Sequence, residues 1–220
     1  MKASVKIACI LYVAGFLLGA GFPRPANAAD LFSPEGEWVA PGVKNPFILT
    51  CSAVSENRFF ATLGDTRESR TITNHTDSLL IFESGANKEI ALLKITDNAL
   101  LYADGWITDL LLVRRGLETR TSPPSGAWIE GNFMRPDRVG INFTTRVFTA
   151  NGETKHFQME PARDQKHFPG LTLLSADNGK TEIECVRMGD DVLACRSPVS
   201  AMDGGGDNPF IGFAPVSDAE

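Results

Sequence analysis

Short runs of apolar, β-branched and aromatic residues recur along this chain, and frequent turn signals separate them. Asp104-Gly105, Asn151-Gly152 and Asn178-Gly179 each stand between two such runs. A D-G or N-G pair between short apolar runs is a strong hairpin signal, and long stretches of helical periodicity are missing. The pattern therefore predicts an all-β fold built from antiparallel hairpins.

Residues 139–147 alternate between apolar and polar side chains, which predicts one half-buried strand. Two registers are open for the hairpin that follows it. A two-residue turn puts Val147 opposite His156 and mixes the apolar and polar faces. A three-residue loop puts Phe143 opposite Met159 and keeps the faces apart, so we expect this second register.

Two pairs of segments in the chain resemble each other. EIALLKITDNALLYA (residues 89–103) aligns without gaps with EIECVRMGDDVLACR (residues 182–196), at an offset of 93 residues. SPEGEW (residues 33–38) resembles PPSGAW (residues 123–128), at an offset of 90 residues. Because the offsets agree, we predict an internal repeat. The repeat also makes Lys88–Leu93 part of a β-hairpin, although its composition favours a helix.

The repeat and the local composition divide the chain into five parts. Residues 1–28 are predicted to be a signal peptide, 29–117 an N-terminal β domain, 118–125 a polar linker, 126–198 a C-terminal β domain and 199–220 a flexible Gly-, Pro- and Asp-rich tail. We expect two tandem small antiparallel barrels or sandwiches, or one larger unit made from both halves. The second half lacks an obvious counterpart of Ile107–Val113, unless the tail around Phe210–Phe213 supplies it.

Each half opens with a Gly-x-Trp motif and has a later arginine that follows an apolar strand. Trp38 is matched by Arg114 in the first half, and Trp128 by Arg196 in the second. This combination resembles the pattern of small up-and-down barrels of the lipocalin and avidin type, and of bacterial periplasmic peptidase-inhibitor barrels. The resemblance implies that each guanidinium covers its tryptophan at the closed end of a barrel, a cation–π contact worth about 0.5–2 kcal/mol.

The beginning of the chain has the features of a cleavable secretory signal. Two lysines precede an uncharged apolar run over residues 7–22, and the small residues of Ala26-Asn27-Ala28 place the cleavage between Ala28 and Ala29. The run is too short for a membrane span, which needs about 20 residues, and no later stretch is long or apolar enough. We therefore expect a periplasmic or secreted protein with no membrane span in the mature chain.

Removal of the signal changes the charge and the cysteine count. The loss of Lys2, Lys6 and Arg24 takes the formal charge from −6 to −9, which disfavours nucleic acid as a partner. If Gly189-Asp190-Asp191 forms a hairpin loop, Cys185 faces Cys195 and the two form a cross-strand disulfide. Cys51 is then a core residue, without the CxxC or histidine pattern of a metal or redox site.

No motif in the sequence fixes a reaction, a metal or a cofactor. HExxH, CxxC and GxSxG are absent, and Asp203, Asp207 and Asn208 in the tail lack the EF-hand spacing. We therefore expect no cofactor and favour a non-catalytic binding or interaction protein of the cell envelope. Its partner, an envelope protein or a small ligand, is not identified. The barrel resemblance adds inhibition of an envelope peptidase as a narrower possibility.

Two alternative functions remain open. One is a periplasmic hydrolase, whose chemistry would be carried by carboxylates and histidines; the candidates are Glu130, Asp137, Glu160, Asp164, His156 and His167. The other is a barrel that holds a small apolar ligand in an interior cavity.

Overall fold

The fold is all-β, as predicted. A computed structural model describes residues 31–41, 48–55, 58–63, 66–84, 88–103, 110–132, 138–162, 169–196 and 210–216. Within these ranges the chain forms seventeen strands and no helix, so no helix there is able to cross a membrane. The predicted signal peptide, with its cleavage site at Ala28 and Ala29, lies outside the described residues.

The first half forms a closed barrel of eight antiparallel strands. They are β1 (Gly36–Val39), β2 (Ile48–Ser55), β3 (Arg58–Leu63), β4 (Thr66–His75), β5 (Leu79–Ser84), β6 (Lys88–Thr96), β7 (Ala99–Ala103) and β8 (Leu110–Arg114). Each strand pairs with the next, and β8 pairs with β1 to close the barrel. Closure satisfies the backbone groups that an open sheet would leave at its edges.

The second half repeats this topology. Its strands are β9 (Thr119–Arg120), β10 (Ala127–Glu130), β11 (Gly140–Asn142), β12 (Val147–Ala150), β13 (Glu153–Pro161), β14 (Leu171–Ser175), β15 (Thr181–Met188), β16 (Val192–Arg196) and β17 (Ile211–Pro215). From β10 onward each strand pairs with the next, and β17 pairs with β10, so these pairings run in a closed ring. Strand β9, from the predicted linker, adds to β15 beside this ring.

The two copies of the internal repeat occupy equivalent positions in the two barrels. The aligned segments form β6–β7 and β15–β16, which are the sixth and seventh strands of their barrels. Lys88–Thr96 is therefore a strand rather than a helix. The prediction that residues 199–220 are all flexible is wrong for Ile211–Pro215, because β17 closes the second barrel and Phe213 is fully buried.

The hairpin around Asn151-Gly152 has the register of a two-residue turn rather than the expected register of a three-residue loop. Val147 lies opposite His156 and Ala150 opposite Glu153, so the turn has two residues. Asn151 and Gly152 have φ angles of 51° and 74°, which are the left-handed conformations of a type I′ turn. The expected three-residue loop is therefore wrong.

The predicted single strand over residues 139–147 is also wrong. The chain reverses at residues 143–146, and β11 and β12 run antiparallel with Asn142 opposite Val147. The side-chain oxygen of Asn142 accepts a hydrogen bond from the amide of Thr145 (2.9 Å), and Arg146 has a φ of 56°. These contacts stabilise a turn, because an asparagine side chain can replace the backbone acceptor of a strand.

The two barrels pack against each other through the outer faces of β6–β8 and β15–β17. One apolar cluster contains residues from both halves: Ala99, Leu111, Val113, Ala162, Val186, Val192, Ala194 and Phe210. Gly212 on β17 allows close approach, since a Cβ at this position would lie 2.6 Å from Cδ1 of Leu111. The two halves thus share a tightly packed apolar seam.

Candidate functional site

Packed side chains fill the first barrel. Its buried cluster comprises Phe32, Trp38, Ala40, Leu49, Cys51, Ala61, Leu80, Phe82, Ile90, Leu92, Leu100, Tyr102 and Leu112. Phe32 belongs to the segment before β1, and its backbone amide donates to the carbonyl of Thr76 (2.9 Å), which draws this segment across one end of the barrel. That end is closed by the chain itself.

Trp38 and Arg114 meet at the same closed end. The guanidinium carbon of Arg114 lies 4.6 Å from the ring centroid of Trp38, whose indole nitrogen donates to the carbonyl of Pro34 (2.7 Å). Arg114 also donates to the backbone carbonyls of Asp97 and Glu35, each at 2.9 Å. Through these contacts the guanidinium of Arg114 links strand β8 to residues 35–38 and to the turn at Asp97.

In the second barrel the residue opposite Trp128 on the neighbouring strand is a proline rather than an arginine. Trp128 lies opposite Pro215, in the register position that Arg114 occupies opposite Trp38. The expected partner, Arg196, is on β16, where its Nη2 is 2.8 Å from Glu184 and its guanidinium lies 5.8 Å from the ring of Phe210. Trp128 still donates its indole hydrogen to a preceding carbonyl, that of Ser125 (2.9 Å).

Cys185 and Cys195 form a disulfide inside the second barrel, as predicted. Met188 lies opposite Val192, so the hairpin loop is Gly189-Asp190-Asp191. The disulfide packs in a buried cluster with Trp128, Ile141, Phe143, Phe157, Leu173, Ile183, Leu193 and Phe213. This interior, like that of the first barrel, is occupied by side chains.

Cys51 is a free cysteine in the core of the first barrel. Burial raises the pKa of its thiol to about 12. A thiolate is required for nucleophilic attack and for metal binding, and this thiol stays protonated at neutral pH.

The structure separates those hydrolase candidates that it describes. His156 and Glu160 are both exposed on β13, and four residues of strand place them about 13 Å apart. Glu130 is buried on β10, and its carboxylate accepts a hydrogen bond from the amide of Val139 (3.1 Å). Asp137, Asp164 and His167 lie outside the described residues.

His75 makes a structural contact, and the described residues contain no cluster suited to a metal ion. Nε2 of His75 lies 2.7 Å from the carbonyl oxygen of Phe32, so this ring holds the segment before β1. Among the described residues, no group of three or more His, Cys, Asp or Glu side chains is arranged to hold a metal ion. Asp203, Asp207 and Asn208 of the tail lie outside the described residues.

A small surface hollow at the junction of β9 with β15 carries two arginines. Arg120 lies directly opposite Arg187 in the β9–β15 pair. The hollow is shallow, and it is lined by Arg120, Thr121, Ser122, Pro124, Pro169, Gly170, Leu171, Cys185, Arg187 and Leu193. Sequence reasoning did not single out this pair, because the pairing depends on a linker segment that folds back onto the second barrel.

Comparison with known proteins identifies no relative of this chain. The barrel resemblance therefore rests on the Gly-x-Trp and arginine pattern alone. No protein-family model, no curated protein and no solved structure matches this chain.

Proposed function

We propose that this is an exported, non-catalytic binding or interaction protein of the cell envelope, which engages its partner through the outer surfaces and loops of two joined barrels. The observation that carries the proposal is the packing of both interiors. In the first barrel Leu80, Leu92, Leu100 and Leu112 are each 0% exposed, and in the second Leu193, Cys195 and Phe213 are each 0% exposed. Recognition by such barrels takes place on their outside.

This packing favours an interaction protein over a barrel that holds a small apolar ligand. Ligand cavities of that kind have volumes of about 300–1,000 Å³ and are lined, not filled, by apolar side chains. Here a large aromatic side chain occupies the inside of each barrel, Trp38 in one and Trp128 in the other, each at most 3% exposed.

The hydrolase alternative gains no support from the described residues. General acid–base catalysis requires groups within hydrogen-bond reach of one reacting atom. His156 and Glu160 lie about 13 Å apart along an exposed strand, and Glu130 is buried on another strand.

Export is supported by the disulfide and by the pattern of the first 28 residues. Disulfides persist in oxidising compartments such as the bacterial periplasm and are rare in the cytosol. The Cys185–Cys195 bond therefore agrees with the predicted signal peptide. The formal charge of −9 after cleavage, obtained by removing three basic residues from the chain of charge −6, suits a protein partner better than nucleic acid.

The first test is intact mass spectrometry under native conditions on protein isolated from the envelope fraction. We expect a chain that begins at Ala29, contains one disulfide and carries no small-molecule adduct. A chain that retains residues 1–28 would overturn export, and a stoichiometric small molecule would favour the ligand barrel.

The second test is photo-cross-linking in intact cells from single outward positions. A cross-linker at exposed Gln158 on β13 and one at exposed Ser69 on β4 sample the two barrels separately. We expect one protein partner to be captured from at least one of these surfaces, and excess unlabelled mature protein to compete. Failure of competition, or substrate turnover by the purified protein that His156→Ala abolishes, would contradict the proposal.

A further inference from the structure

Strand β4 has an edge without a neighbouring strand. Its first six residues, Thr66–Thr71, pair with β3 on one side, whereas β5 pairs with β4 only from Ile72 to His75. Among the described strands, none pairs with Thr66–Thr71 on the β5 side. Because alternate residues of a strand direct both backbone groups to the same side, three of these six residues present an N–H and a C=O along this edge.

The edge lies on the outside of the first barrel, away from the seam. Ser69 and Thr71 are exposed. The second barrel packs against β6–β8, and β4 lies two strands beyond that seam. Elsewhere the chain covers a strand edge with its own residues, since β9 pairs with β15 beyond the end of β14. The backbone groups of an uncovered edge are a template for pairing with another chain.

The order of charges along this edge is complementary to itself. In an antiparallel pair of two copies centred on Ser69, Glu68 of each copy falls opposite Arg70 of the other. Opposite charges at directly opposed positions stabilise a strand pair. A shift of one residue removes both pairs, and in one direction it sets Arg67 opposite Arg70, where like charges are unfavourable. The edge therefore favours one register, and that register suits a second copy.

We propose that the Thr66–Thr71 edge is an interface between two copies of this chain, in which β2–β4 of both copies form one six-stranded sheet. The contact is isologous, because a two-fold axis through Ser69 relates the copies. Charges on a strand edge prevent self-pairing where the same sign recurs at opposed positions, and the order Glu-Ser-Arg has the opposite effect. The interface is small, so the dimer is of the weak, transient class. It is independent of the proposed function, which concerns an envelope partner.

The second barrel supplies a matched control. Strand β13 is the fourth strand of its ring, as β4 is of the first barrel, and it has the order Glu-Thr-Lys at residues 153–155. Its edge is shorter, because the amide of Ala176, next to β14, donates to the carbonyl of His156 (3.0 Å). Only three residues of β13 then remain, so we expect no pairing of copies there. Thr154 is exposed and corresponds to Ser69.

The test is sedimentation velocity of the mature protein from about 1 µM to about 1 mM, a range that covers weak interfaces. We expect a monomer–dimer equilibrium with a dissociation constant in the micromolar range. Ser69→Lys sets two lysines against each other at the two-fold axis and should weaken the dimer at least about ten-fold. Thr154→Lys, the same charge at the equivalent position of β13, should leave the dissociation constant unchanged.

An exchange of charges tests the register. Glu68→Arg alone and Arg70→Glu alone each oppose like charges in a pair of identical copies, so each variant should dimerise more weakly than the original chain. An equimolar mixture of the two variants restores opposite charges at both positions, and it should form a 1:1 dimer about as tightly as the original chain. Misfolding of either variant cannot produce this recovery.

Three outcomes would overturn the proposal. A monomer at every concentration would do so, and it would leave this edge to an extended segment of another protein. Equal weakening by Ser69→Lys and Thr154→Lys would mean that the β4 edge is not the interface. A mixture of Glu68→Arg and Arg70→Glu that stays monomeric would refute the antiparallel register centred on Ser69.

Discussion

Asn98 donates from its side-chain amide to both carboxylate oxygens of Asp191, at 3.0 and 3.2 Å, and these two residues occupy the same position in the two halves of the chain, 93 residues apart. A residue meets its own counterpart only near a two-fold axis. Leu111 and Gly212 behave in the same way, since they are equivalent positions of β8 and β17 and are in contact. The barrels therefore pack like the two subunits of a symmetric dimer, fused into one chain.

The first prediction concerns the amide–carboxylate contact at this axis. Asn98→Asp sets two carboxylates against each other, and we expect the free energy of unfolding to fall by about 1–2 kcal/mol at pH 7. Denaturant unfolding measures the change. The exchanged pair Asn98→Asp with Asp191→Asn restores the hydrogen bond and should recover most of the loss. An exchanged pair as unstable as the single variant would refute the contact.

The second prediction concerns the close approach of β8 and β17. Alanine at Gly212 places a Cβ 2.6 Å from Leu111 and 2.7 Å from Ile95. Leu111 is fully buried and has little room to move, so we expect Gly212→Ala to cost about 1–3 kcal/mol. In thermal unfolding, Leu111→Ala added to Gly212→Ala should be less harmful than the sum of the two.

The matched control for this prediction is Gly140→Ala. Gly140 also lies in a strand, but a Cβ there would approach Thr149 no closer than 3.9 Å. We expect Gly140→Ala to change the free energy of unfolding by less than about 0.5 kcal/mol. Equal losses from the two substitutions would mean that strand glycines, rather than the seam, account for the effect.

The hairpins are predicted correctly where the alternation of apolar and polar residues in both strands continues up to the turn. The loop Gly189-Asp190-Asp191 and the facing cysteines were predicted because apolar positions fix the register on both sides. Asn178-Gly179 likewise separates β14 from β15, and Gly179 has a φ of 67°. In these hairpins turn chemistry and side-chain alternation agree, and that agreement made the predictions correct.

The sequence-based prediction was wrong where a turn has the same alternation of apolar and polar residues as a strand. Residues 143–146 alternate like residues 139–142, but the hydrogen bond from Thr145 to Asn142 makes them a turn. The expected three-residue loop at Asn151-Gly152 depends on pairing Phe143 with Met159, but Phe143 is not part of β12. The Arg120–Arg187 hollow was not predictable at all, because it depends on a long-range pairing of the linker.

The third prediction concerns the disulfide of the second barrel. Replacing both Cys185 and Cys195 by alanine should lower the free energy of unfolding by about 2–4 kcal/mol, because the cross-link restricts the unfolded chain. Denaturant unfolding with and without reductant measures this, and reductant should have no effect on the double variant. Peptide mapping without reductant should show Cys185 joined to Cys195 and Cys51 free. A bridge that involves Cys51 would contradict the hairpin.

The fourth prediction compares two adjacent arginines. Arg114 contacts Trp38 and donates to two carbonyls, so Arg114→Ala should cost about 1–3 kcal/mol. Arg115 is 60% exposed and pairs with Glu37 at the surface, so Arg115→Ala should cost less than about 0.5 kcal/mol. Near-ultraviolet circular dichroism should change only in the first variant. Similar losses from both would remove the role assigned to Arg114.

The last prediction concerns the pH dependence that buried Cys51 creates. Its pKa is raised from 9.0 to about 12 in the folded protein, so the folded state keeps a proton that the unfolded chain releases at lower pH. Stability must therefore fall as pH rises above about 9, by about 1.4 kcal/mol per unit until the folded thiol ionises.

Lysines and tyrosines also titrate in this range, so the slope of Cys51→Ala supplies the reference. The variant is less stable at neutral pH because of its cavity, but its unfolding free energy should decline less steeply between pH 9 and 11. Iodoacetamide should label native Cys51 only at the rate of unfolding at pH 8, because the folded thiol is protonated and buried. Parallel slopes for the two proteins, or rapid labelling of the native state, would show that this cysteine is accessible to solvent.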